Sequence, residues 1–71
     1  MSIDKHELYR SLSVVMDDAQ RKADDHQGKI GDTPLHGWSQ KKHDDYHTKY
    51  MRQAMETVSY CFVRQMQLSP D

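Results

Sequence analysis

Apolar residues recur at three- and four-residue steps along two long stretches of this chain, and no stretch alternates at a period of two as a half-buried strand would. In the first stretch Leu8, Leu12, Val15, Met16, Ala19 and Ala23 fall on one stripe with Tyr9 on its flank, which predicts an amphipathic helix over about 4–27. Asp4 followed by Glu7 reads as a capping box at its start. Gly28 reads as the left-handed stop at its end. In the second stretch His47, Tyr50, Met51, Ala54, Met55, Val58, Cys61 and Phe62 share one wide face, with Lys49, Arg52, Gln53, Glu56 and Arg64 opposite. Ser39 offers an N-cap, so this helix is predicted over about 39–67, with Ser69, Pro70 and Asp71 as a frayed end. The break between them, about 28–38, holds Gly28, Gly31, Gly37 and Pro34. Thr33 and Pro34 there can open one short helical turn. Ile30, Leu35 and Trp38 are too apolar for a free linker and are expected to fold back over the end of the hairpin.

The fold class that follows is all-α: one domain over 1–71, a two-helix antiparallel hairpin. Its apolar faces span well over 100°, more than one partner helix covers. The expected remedy is pairing of two hairpins into a four-helix bundle homodimer, with an obligate heteropartner as the competing remedy. Size points the same way, because a core this small supplies only about 3–5 kcal/mol on its own. A disulfide within the chain is excluded, since Cys61 is its only cysteine. A metal or a second chain is left as the staple.

Charge narrows the function classes. Ten basic residues stand against eleven acidic ones, and Lys41, Lys42, Lys49 and Arg52 are interleaved with Asp44, Asp45 and Glu56. Nucleic-acid binding, which wants a basic face, is not expected. No apolar run approaches the ~20 residues of a membrane span. The first residues lack the apolar core of a secretory signal, and a lone cysteine fits a reducing compartment. A cytoplasmic protein is the expectation.

One short segment holds what chemistry there is. His43 and His47 are four apart and face the same way on a helix, the spacing by which a helix offers two imidazoles to one metal. His26 falls on the inward stripe of the first helix, which in an antiparallel hairpin ends beside them. His26, His43 and His47, with Asp44 or His36 as a fourth ligand, form a candidate site for zinc or a small ligand. The plainer alternative is a set of inward histidines bonded to Asp24, Asp25, Asp44, a tyrosine hydroxyl or a loop carbonyl, packed under Trp38. Catalysis is not expected. Cys61 lies away from every histidine of the loop end, no glycine-rich phosphate loop is present, and 71 residues barely enclose a substrate pocket.

Val14 on the first helix, and Tyr60 with Val63 on the second, project onto otherwise polar faces. Together with Trp38 at the loop end they are the candidate partner-binding residues. Gly37, Trp38 and Ser39, then His43, Asp44, Asp45, His47 and Thr48, then Ala54, Tyr60 and Cys61, resemble a segment of small phage and prophage proteins: Gly-Trp-Thr/Ser, His-Asp-Asp-x-His and an alanine-rich helix. The likeness covers about a third of the chain. It has one extra residue between Trp38 and His43, lacks the Pro-Glu usual there, and leaves the first helix without a counterpart. The resemblance implies a mobile-element setting, in which small accessory proteins bind a host or defence protein. The expectation is therefore a non-enzymatic protein-interaction module, with metal or ligand binding through His26, His43 and His47 as the alternative.

Overall fold

Residues 4–68 are described by the computed structural model. The expected frayed end, Ser69 to Asp71, lies outside them. Among the described residues there are two helices and no strand: α1, Lys5–Lys29, and α2, Gln40–Leu68, packed along each other as an antiparallel hairpin.

Local signals set the starts of both helices. Asp4 stays extended, and its carboxylate accepts the His6 N–H at 3.2 Å, while Glu7 adds negative charge to the first turn. The cap therefore serves His6 and not Glu7, the partner a full capping box would use. Ser39 caps α2 as expected: its hydroxyl accepts the Lys42 N–H at 3.1 Å and its carbonyl the His43 N–H at 3.0 Å. Helix α2 runs to Leu68, the last described residue. Exposed i,i+4 ion pairs, such as Asp17–Arg21 at 2.9 Å and Asp18–Lys22 at 3.0 Å, support α1 modestly.

The end of α1 differs from the sequence expectation. Gly28 is helical, the helix runs on to Lys29, and the left-handed conformation falls to Gly31 at φ +90. Ile30 between them is extended. The reason is tertiary. The Lys29 carbonyl is taken by the His43 ring at 2.9 Å, and the Gly31 N–H by the Asp44 carboxylate at 2.9 Å, so α2 fixes where α1 stops. Pro34 likewise opens no helical turn. The loop's reversal comes at Leu35–Trp38, where the Trp38 N–H meets the Leu35 carbonyl at 3.0 Å and Gly37 has φ +86. A positive φ at the third position is the type II pattern.

Between the helices the seam is built from small and polar residues. Ala19, Ala23 and Cys61 are its buried apolar members, and Gln65, His43 and His47 are buried beside them. The Gln65 amide donates to the Tyr9 carbonyl at 3.0 Å and to the Ser13 hydroxyl at 2.6 Å, which locks the register at the open end. Much of the expected core is not core. Val15, Met55 and Phe62 stand exposed, while Leu8, Leu12, Met16, Met51 and Val58 are half-buried. With alanine and cysteine on the seam, the longer side chains fall to the two flanks. The result is a rod of 51 × 20 × 16 Å.

Candidate functional site

The loop end of the hairpin gathers the histidines, as their positions on the two helices predict. His43 and His47 come from the first two turns of α2, and His26 from the last turn of α1. The Nδ1 atoms of His26 and His47 lie 2.9 Å apart, the distance of a hydrogen bond. One ring must donate and the other accept, so the contact holds a single proton. The His43 ring packs edge-on to His47 at 4.6 Å between centroids, and its Nε2–H donates to the Lys29 carbonyl. A carbonyl only accepts, so the tautomer of His43 at Nε2 is fixed. That bond also satisfies one of the orphan carbonyls at the end of α1.

Aromatic rings close over the cluster. Tyr46 stands perpendicular to His47 at 5.1 Å, Trp38 meets Tyr46 edge-on at 5.4 Å, and Tyr50 stacks on His26 at 5.8 Å. The Lys42 ammonium sits over the Trp38 ring at 4.6 Å. Burial pushes the His47 pKa below its ordinary value. The neighbouring His43, His26 and Lys29 push it the same way, against a smaller opposing pull from Asp25.

Asp44 belongs to the loop and not to the histidine array. Its carboxylate accepts from the Gly31 N–H at 2.9 Å and from the Gln40 amide at 3.0 Å, and these bonds hold its pKa below the usual carboxylate range. Gln40 reaches on to the Asp32 carbonyl at 3.1 Å, so α2 clasps the loop through two side chains. Asp45 points outward and pairs with Lys41 at 2.9 Å, and His36 is exposed on the turn. The expected metal set of His26, His43, His47 and Asp44 is thus only partly assembled. Three rings converge, but one Nε2 is spent on a carbonyl, two Nδ1 atoms on each other, and the carboxylate on the loop. Among the described residues no three His, Cys, Asp or Glu side chains are arranged to hold a metal ion.

The candidate partner residues are dispersed. Val14 is 69 % exposed and Tyr60 66 %, with Val63 exposed beside Tyr60. Val14 lies on the outer edge of α1, directly away from the buried Ala23 side, whereas Tyr60 and Val63 lie on the outer edge of α2. The hairpin therefore does not join Val14 to Tyr60. Trp38, half-buried, borders a cleft of about 600 Å³ that His26, His43 and His47 also line. Cys61 is buried far along α2 from this cleft, which keeps thiol and imidazole apart.

Sequence reasoning missed Gln65. It sits on the inward sector of α2, four residues after Cys61, and its inward register was the available signal. No family model, no curated protein and no solved structure matches the chain.

Proposed function

We propose that this protein is a non-enzymatic association module whose working form is a homodimer, two hairpins paired as a four-helix bundle. One observation carries the reading: the seam between the helices consumes small and polar residues, while Phe62, Met55 and Met66 remain exposed. Large apolar side chains left in water on a rod this thin are surface waiting for a second chain. The loop-end array serves as a latch in this reading, since His26 and His47 bond each other and His43 bonds the Lys29 carbonyl. Light scattering on the eluting full-length protein tests the dimer directly. A mass of twice the chain at micromolar concentration is expected; a folded monomer would sink the reading.

The outer-edge residues Tyr60 and Val63, and the Trp38 loop end, are then free for a further protein, in keeping with the resemblance to phage accessory proteins that modulate a host protein. A partner captured through this edge is lost on Tyr60→Ala and kept on Val14→Ala. Capture indifferent to Tyr60→Ala would remove the edge from the reading.

A second reading, zinc or a small ligand at His26, His43 and His47, draws support from the convergence of the three rings beside the cleft. It requires the His26–His47 hydrogen bond to open and His43 to release Lys29. Stoichiometric zinc in untagged protein, with a melting temperature lowered by chelator in the wild type and not in His47→Ala, is what this reading demands. We expect no change with chelator.

A further inference from the structure

The two broad faces of the hairpin are not equivalent, and the difference identifies what one of them meets. The groove on one face is lined by Val15, Asp18 and Lys22 from α1 and by Tyr50, Gln53 and Thr57 from α2. The residues on the opposite flanks of both helices therefore share the other face. At 100° per residue these are Tyr9 and Met16 on α1, and Met51, Met55, Phe62 and Met66 on α2. Every methionine among the described residues is on this second face or its inner margin, together with the only phenylalanine.

Charge separates the faces as well. Along the sector from Tyr9 to Gln20 on α1 the other residues are Ser13 and Met16, and from Thr48 to Met66 on α2 they are Met51, Met55, Val58, Ser59 and Phe62. None carries a charge. The Asp17–Arg21 pair stands at one rim and Arg52 at the other, whereas the first face has Asp18 and Lys22 paired within its groove. An apolar centre with charges of both signs at its rim is the anatomy of an interface.

We infer that the Tyr9/Met16/Met55/Phe62/Met66 face is the surface on which a second copy of this chain docks, and the inference rests on the homodimer reading above. Two observations select a second copy as the occupant. At a two-fold axis the residues beside it meet their own twins, so a charge there faces a like charge; the uncharged face avoids this wherever the axis passes through it. The area also fits. The chain exposes 5801 Å², where a compact monomer of its mass exposes about 4,600 Å². The excess over the whole rod, about 1,200 Å², leaves room for the roughly 800 Å² per partner that a stable interface covers. Methionine suits the role, because its unbranched thioether repacks to fill the gaps between two identical surfaces. Along α2 the sector from Met51 to Met66 is about 22 Å long, about four helical turns over which the two copies can interdigitate.

Sedimentation velocity on the full chain, with Phe62→Lys and Met55→Lys on this face and Val15→Lys on the other, tests the assignment. Expected are a wild-type dimer, a rise in dissociation constant of roughly a hundred-fold or more for the first two variants, helical circular dichroism retained at high concentration, and a Val15→Lys protein that still dimerises. A wild-type dimer that Val15→Lys disrupts and Phe62→Lys does not would overturn the face while leaving the association reading intact. A wild-type monomer would overturn both. Should the lysine variants unfold, wild-type protein mixed from labelled and unlabelled copies decides. Intermolecular NOEs between methionine methyls and the Phe62 ring support the face, and their absence removes it.

Discussion

His47 is the residue on which the loop end turns. Its Nδ1 shares one proton with His26, its ring is walled by Tyr46 and His43, and burial holds its pKa below the ordinary value. A histidine whose folded-state pKa is depressed stabilises the fold in its neutral form. That stability is complete above the unfolded pKa of about 6.5 and is lost as pH falls through the folded value. The melting temperature should therefore fall between pH 7 and pH 5 in the wild type and change far less in His47→Gln, followed by circular dichroism. Equal slopes would detach His47 from the effect. Asp44 acts in a separate window. Its depressed carboxylate pKa keeps its bonds to Gly31 and Gln40 intact at pH 5, and they are lost only in stronger acid, below the usual carboxylate value of about 3.9. Gln65 has no titration but more at stake in packing. Gln65→Ala removes both bonds across the open end and leaves a gap, and should cost about 1–3 kcal/mol in urea unfolding.

At the scale of elements, the two helices were legible from apolar spacing and the start of α2 from Ser39, because these depend on residues close in sequence. The end of α1 was not. Gly28 and Gly31 are equally good local stops, and the choice between them is made by Asp44 and His43, thirteen and fourteen residues further on. The paired substitutions separate the two readings. Gly28→Ala lies in open space within the helix and should stabilise by about 0.5–1 kcal/mol. Gly31→Ala meets the left-handed strain of φ +90 and should destabilise by about 1–2 kcal/mol. The convergence of His26, His43 and His47 could be read from helical position and antiparallel packing. Their hydrogen-bond partners could not, because ring orientation depends on the exact reach of a loop whose turn, at Leu35–Trp38, carries no helix. The width of the apolar faces was also visible in sequence; which residues the partner helix would leave uncovered was decided by the small seam of Ala19, Ala23 and Cys61.

As a whole, the molecule is more extended than its length requires. Its radius of gyration is 16.2 Å, against about 11 Å for a compact domain of the same length. Stability inherited from a second copy depends on mass action, so the urea midpoint should rise with protein concentration over the micromolar range; a midpoint independent of concentration would mean that each hairpin stands alone. Cys61 offers a clock for the same process. It is the chain's only thiol, and at 1 % exposure it is sealed at the seam. An alkylating reagent can reach it only when the helices part, so the labelling rate counts openings of the hairpin under native conditions. If two hairpins brace each other, that clock runs slower as the protein is concentrated, and one buried sulfur reports, without any denaturant, on an association that takes place on the molecule's outer surface.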